Sequence, residues 1–315
     1  MMKYIIRRLI VMLPVMLLVS IFAFAIVNLA PGDAADLYVT PDATPEQLEM
    51  MRERLGLNQS QIVQYGKWLV NTLQGNLGFS FNTRTSVAGL LLERIWPTLQ
   101  LMGLTLIVAY AIAIPLGIYC AKHKNSWFDN LVTTTSFAGV SVPNFFLGLG
   151  LIYIFALQLG WLPTGGRETL GGQDSIIERI QYYILPVIVL ATSYSANMTR
   201  YIRSTMIQVY EENYMRTAIS KGLSDNKVTF THGLRNALVP IITVIGSDIP
   251  RLIGGAIVTE QVFRWPGVGQ LMMSSISARD YPVIMAINLL SAVTVLFSNL
   301  IVDVLYAYVD PRIRY

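Results

Sequence analysis

The sequence predicts an all-α polytopic membrane protein with six transmembrane helices. Three observations carry this reading. Of 315 residues, 53% are hydrophobic and only 13% are charged, against roughly 25% charged in soluble domains. Mean hydropathy is +0.51. Apolar runs occupy about 9–30, 97–121, 131–157, 181–199, 238–258 and 283–308, and a bilayer-crossing helix needs roughly 18 such residues or more. Hydrocarbon cannot satisfy the edge of an open sheet, so the runs are expected to be helical.

The first run follows a basic start, MMKYIIRRL. Its apolar stretch is longer than the roughly 7–15 residues of a signal-peptide core, and five more spans follow it, which predicts an uncleaved signal-anchor helix. Residues 1–30 thus form an N-terminal stub and first span, 31–95 an extracytoplasmic segment, and 96–315 the core with a cytoplasmic loop at 200–237. In the outer segment Thr44 is a predicted N-cap, Pro45 the first helical residue, Gln47 the partner in a capping box and Gly56 the stop. Leu48, Met51 and Leu55 share one face of that helix. A second amphipathic helix is expected with Ile62, Tyr65, Leu69 and Leu73 along one side. GNLGFSFNTRTS is turn-like. The whole segment is too short for a sizeable independent core.

Farther along, AKHKNSWFDN predicts a tight inner hairpin between spans two and three. Pro143, in GVSVPNFF, predicts a kink in the third span. The outer loop LGWLPTGGRETLGGQDS is rich in turn residues, and EQVFRWPGVGQLMMSSISARDYP is unusually aromatic and rich in Gly and Pro. The latter has a composition suited to folding back into the protein. No internal repeat is evident, which weakens an inverted-repeat carrier.

Charge placement predicts the orientation. With the N-terminus inside, inner segments hold 13 basic residues against five acids, while outer segments hold nine against 12. Basic residues concentrate on the cytoplasmic side, so both termini are expected there. The net charge of +4 follows from this topology and does not point to nucleic acid. Cys120 is the single cysteine, which excludes an intrachain disulfide.

Catalysis is not expected. The two histidines, His123 and His232, fall on predicted cytoplasmic loops, away from Ser141 in GVSVP. There is no HExxH, no pair of membrane acids at metal-ligating spacing and no GxxxxGK[ST] phosphate loop. No cofactor or metal is therefore expected in this chain. Charges at depth mark pathway candidates. Asp248 and Arg251, three apart on one helix face, either belong to a translocation pathway or neutralise each other so that burial is tolerated. Asn144, beside Pro143, either lines a pathway or bonds the kinked backbone. Asp303, near the inner end of the last span, is expected to be structural.

The run NYMRTAISKG, at 213–222, interrupts this apolar pattern. Tyr214 with Ala218, and Met215 with Ile219, are paired at i,i+4 on an apolar face. Arg216, Thr217, Ser220 and Lys221 form the polar one. Gly222 suits the left-handed conformation that ends a helix, and Ser224 is placed to cap the helix after it. Two readings of this helix–turn–helix stand: a surface helix on anionic headgroups, or a knob seated in a partner's cleft, with Ala218 and Gly222 small enough to permit close approach.

RTAISKG, together with YIIRRL, NLAPGD, RLGLNQS, GNLGFSF, GVSVPNFF, LGWLPTGG, LRNALVP, EQVFRWPGVGQL, ARDYPV and DPRIR, resembles the permease subunits of binding-protein-dependent ABC importers of the dipeptide/oligopeptide/nickel group. The likeness spans the chain in order. In the family's coupling motif, Arg216, Thr217 and Ala218 take the place of the Glu-Ala-Ala triplet and Gly222 that of its glycine. The later Leu-Pro is represented by Val239-Pro240, several residues farther from Gly222 than in sugar importers. The resemblance implies a type I ABC importer fold in a bacterial or archaeal cytoplasmic membrane. It implies Tyr214, Met215, Arg216, Thr217, Ala218, Ile219, Ser220, Lys221 and Gly222 as an ATPase-coupling helix. The partners would be a second homologous permease, two cytoplasmic ATPases and an extracytoplasmic binding protein, besides membrane lipid. Peptides are the leading cargo; nickel, metal chelates, glutathione and oligosaccharides also occur in the group. The contrasting class, a self-contained ion-coupled carrier or channel, would be expected to hold several acids or histidines at depth, and only Asp248 and Asp303 qualify.

Overall fold

Long apolar runs satisfy their own backbone only as helices, and the computed structural model of the chain follows that rule. It describes residues 2–29, 44–169, 175–250, 252 and 256–309. In chain order the helices are α1 (Met2–Leu29), α2 (Pro45–Leu55), α3 (Gln61–Leu73), α4 (Val87–Lys122), α5 (Trp127–Ser141) and α6 (Asn144–Leu151). They continue as α7 (Ile176–Glu211), α8 (Asn213–Ser220), α9 (Arg235–Asp248), α10 (Ile257–Val262), α11 (Val268–Ser277) and α12 (Tyr281–Val309). Wider π-helical turns extend α6 over Ile152–Gln158 and precede α9 over Lys227–Leu234.

Among the described residues five segments are long and apolar enough to cross a bilayer, namely Ile6–Leu29, Val87–Lys122, Ile176–Glu211, Lys227–Asp248 and Tyr281–Val304. The pair α5 and α6 with its π turn makes a sixth only if taken as one broken span, because it bends by 94°. The expected kink at Pro143 is therefore a break. Proline pushes its predecessor out of the helical region, and Val142 is extended, with φ −81° and ψ 120°. Among the described residues the fifth span runs from Lys227 to Asp248, so it starts earlier than the expected 238, and the stretch up to 258 lies partly outside the described residues. After Asp248 the chain tightens through a bond from Ile249 N–H to the Gly246 carbonyl at 3.3 Å. Pro250 then has no N–H with which to continue the ladder.

The chain forms two compact units. One gathers residues 1–95 with 271–296. In it the expected capping box is present: the Thr44 hydroxyl accepts from Gln47 N–H at 3.4 Å, and Thr44 N–H donates to Gln47 Oε1 at 3.0 Å. Gly56 closes α2 at φ 70°. The sheltered face of α3 keeps the centre of the expected one and loses its ends: Tyr65 and Leu69 are half-buried, Ile62 and Leu73 exposed. Trp68 joins Tyr65 in packing on Phe24 of α1, with ring centroids 5.9 and 5.5 Å away. Aromatic burial and the Ser20–Tyr65 hydroxyl contact at 2.8 Å outweigh the aliphatic periodicity. The turn after α3 is held by Asp280, buried, which accepts from the Ser80 hydroxyl and from Phe81 N–H at 3.0 Å.

The second unit gathers 96–270 with 297–315. Its core has two main clusters. Leu101, Met102, Ala109, Val187, Leu190 and Trp265 form one, and Ala113, Ile118, Met198, Ile202, Met206 and Ile241 the other. In a bilayer, where lipid is as apolar as these side chains, such contacts stabilise through close van der Waals packing and not through removal from water. Small residues let the helices close up. A Cβ on Gly246 of α9 would stand 1.9 Å from Val302 Cγ2 of α12.

Candidate functional site

Helix α8 is set off from α7 by Glu212, which is extended at φ −71° and ψ 146°. Its inner side rests on the chain's own loop: Met215 and Ala218 are buried with Val228, and Val209, Tyr210 and Leu223 pack around them. This regroups the expected faces. Tyr214 and Ile219, paired above with Ala218 and Met215, are exposed at 39% and 61%. Ala218 is turned inward and leaves no gap for a partner. The reason is the π-helical stretch, whose wide turn brings Val228 under α8 and seats Gly233 beside Met206 and Met215; a Cβ there would meet Met206 Cε at 3.2 Å. The outward face of α8 and its turn thus carries Tyr214, Arg216, Thr217, Ile219, Ser220, Lys221 and Gly222.

Gly222 has φ +73°, as expected of a helix stop. Its N–H donates to the Ile219 carbonyl at 2.9 Å and Leu223 N–H to the Ala218 carbonyl at 3.4 Å, the doubled closure of a Schellman turn. Val228 N–H donates to the Ser224 carbonyl at 2.9 Å, which starts the next helix at the expected place.

Around this loop the α4–α5 hairpin is pinned. Ser126 caps α5 by accepting from Asp129 N–H at 3.1 Å, and Asp129 accepts from Asn125 N–H at 2.8 Å. Arg203 of α7 meets the same carboxylate through Nε and Nη2. Lys122 pairs with Asp225 at 2.7 Å and Lys124 with Glu211 at 3.2 Å, both exposed and worth little each.

A second feature is a cavity of about 430 Å³ lined by Asn144, Leu190, Ser193, Tyr194, Asn197 and residues 256–259. Of the pathway candidates among the described residues, Asn144 is here and Asp248 is not. It accepts from the Ser193 hydroxyl at 2.6 Å, so it bonds a neighbouring helix instead of its own backbone. Asp248 is buried against α4 and accepts from Tyr110 OH at 2.8 Å. Arg251 lies outside the described residues. Asp303 is half-buried in α12.

The aromatic outer loop does fold back. Glu260, Phe263 and Trp265 are buried, and Trp265 Nε1–H donates to the Pro97 carbonyl at 3.0 Å. Glu260 accepts from the Thr98 hydroxyl and from Gln270 N–H, both at 3.0 Å. Burial pushes its carboxyl above the ordinary value, and these donors offset part of that. Sequence reasoning passed over Glu260, Ser193 and Asn197. An acid inside an aromatic, Gly-rich loop, and two polar residues at i,i+4 in an apolar span, were the signals available.

Residues 113–315 match the family described as "Binding-protein-dependent transport system inner membrane component", and residues 1–102 match its N-terminal counterpart. The chain belongs to this family of transport-system membrane components. Among its relatives, the oligopeptide transport system permease protein AppB of Bacillus subtilis (strain 168) is 48% identical over 313 residues, 99% of each chain. The glutathione transport system permease protein GsiC of Escherichia coli O6:H1 is 41% identical over 315 residues, 100% of each. In fold, the permease is similar to the inward-facing MetNI methionine ABC transporter, with a TM-score of 0.57, 15% identity, and coverage of 70% of this chain and 96% of that one. The permease is a multi-pass inner-membrane transport subunit, as the resemblance in its motifs implies.

Proposed function

We propose that this chain is one half of the transmembrane pathway of an ATP-driven importer for di- and oligopeptides. Supporting it is 48% identity, along 99% of both chains, to a permease named for oligopeptide transport. The subunit itself is non-catalytic and needs no cofactor. Its partners are a second permease, two cytoplasmic ATPases and an extracytoplasmic binding protein. Both termini face the cytoplasm, in keeping with the 13 basic residues against five acids on that side.

The segment Tyr214–Gly222 docks on an ATPase. Supporting this is an outward face that joins two exposed apolar side chains, Tyr214 and Ile219, to Arg216 and Lys221. ATP-driven closure of the ATPases shifts the population of permease states through this contact. A second reading, glutathione as cargo, is favoured by 41% identity to a glutathione permease.

Gentle purification from the native membrane tests the assembly: co-purifying ATPase chains are expected, and uptake by this chain alone refutes it. Uptake of labelled tripeptides against labelled glutathione by the whole complex decides between the cargoes.

A further inference from the structure

We propose that the cavity framed by Asn144, Ser193, Asn197 and Thr259 is a station that holds the peptide backbone of the cargo through its amide groups. The inference rests on the peptide-import reading above. At about 430 Å³ the cavity falls in the range of ordinary ligand sites, roughly 300–1,000 Å³.

Its lining is neutral. Amide and hydroxyl side chains (Asn144, Ser193, Tyr194, Asn197, Thr259) alternate with Leu190, Ala256, Ile257 and Val258; among the described residues no lining side chain is charged, and the Arg200 guanidinium stands behind Asn197. A site that selected charged cargo side chains would need a countercharge, since burying an unpaired ion is costly. Every peptide unit, by contrast, brings a carbonyl acceptor and, proline apart, an N–H donor. Side-chain amides offer both kinds of partner at once.

The amides are also aimed. Ser193 Oγ donates to Asn144 Oδ1 at 2.6 Å, Asn197 Nδ2 donates to the Ser193 carbonyl at 3.0 Å, and Arg200 Nη2 donates to Asn197 Oδ1 at 2.8 Å. Arg200 is itself steadied over the Phe137 ring at 4.4 Å. This chain leaves Asn144 Nδ2 without a partner among the described residues, ready to donate to a cargo carbonyl. The Ser193 oxygen keeps acceptor capacity for a cargo N–H. The break before Pro143 is what makes the room: Asn144 is the first residue of α6, just beyond the 94° bend.

The test uses the complete importer in proteoliposomes, with tripeptides matched for affinity to its binding protein. Neutral, Lys-containing and Glu-containing peptides are expected to enter with KM values within about two-fold of one another. A central N-methyl amide is expected to raise KM. Asn144→Leu and Asn197→Leu are each expected to raise KM for all three peptides about three- to ten-fold, the equivalent of one hydrogen bond.

Labelling gives a readout independent of rate. In a Cys120→Ser, Asn197→Cys chain, peptide under turnover is expected to slow reaction of the introduced thiol with a small maleimide. Unchanged KM in the Leu variants together with unprotected labelling overturns the station while leaving peptide import standing. A loss confined to one charge class overturns it too. No uptake of any peptide by the wild-type importer takes down the import reading itself, and the station with it.

Discussion

Arg203 grips Asp129 with two nitrogens of its guanidinium, Nε to Oδ1 at 2.5 Å and Nη2 to Oδ2 at 2.6 Å, while Asp129 is fully buried. The pair ties α7 to the start of α5. Taking away one partner strands the other, a loss of about 3–5 kcal/mol for a buried ion pair. Arg203→Ala is therefore expected to lower the unfolding temperature of the purified permease substantially. Asp129→Asn combined with Arg203→Gln should recover much of it, because the Asn oxygen still accepts from Asn125 N–H. Equal losses in the single and double variants would show that the charge pairing is not the cause.

Gly246 is expected to tolerate no side chain. A Cβ would stand 1.9 Å from Val302 Cγ2, far inside van der Waals contact, and overpacking of this kind costs about 1–3 kcal/mol or more. Gly246→Ala should reduce thermal stability, and Val302→Ala in the same chain should restore part of it. Additive losses in the double variant would contradict the contact.

Gly222 differs in kind. A Cβ there has nothing within 4 Å, but its φ of +73° strains any L side chain by about 1–2 kcal/mol. Gly222→Asn should be mild and Gly222→Val severe. The valine variant is expected to assemble into the membrane complex normally while ATP hydrolysis loses its link to uptake. Wild-type uptake per ATP in that variant would remove the coupling assignment.

Glu260 predicts a pH dependence. Its folded-state value is raised by burial, so its contribution to stability is full below the ordinary carboxylate range and is lost as pH rises through the raised value. Amide hydrogen exchange over residues 259–270 should therefore be slower, after correction for intrinsic rates, at mildly acid pH than at neutral pH. Glu260→Gln should flatten that profile. A profile of the same slope in the variant would assign the effect to another group.

The helical class was legible because hydropathy and span length answer to the bilayer alone. Local chemistry was legible too. Thr44, Pro45, Gln47 and Gly56 form the cap their spacing implies, and Gly222 takes the left-handed turn. What periodicity could not tell was which of two apolar faces wins. Met215 and Ala218 go inward, and Tyr214 and Ile219 outward, because Val228 approaches from one side, and that depends on a π-helical stretch with no simple sequence signature. Pro143 was read as a kink because proline in a span is often accommodated. Here Val142 turns extended and the span breaks. Glu260 was missed for a related reason: its partners, Thr98 and Gln270, lie 162 residues before it and 10 after it, and no short-range pattern links them.

Helix α7 runs from Ile176 to Glu211 with its one proline at Pro186, before the cavity residues Ser193 and Asn197. From Asn197 to the end of the helix at Glu211 there is no proline, and the stretch is roughly 20 Å of rigid rod at 1.5 Å per residue. A rod of that length behaves as a lever and not as a spring. Any tilt imposed at the Glu211 end reappears at the amides of Asn197 and Ser193 with little lost to bending. Cavity and α8 therefore cannot be set independently, and a substitution that re-aims one is expected to re-aim the other.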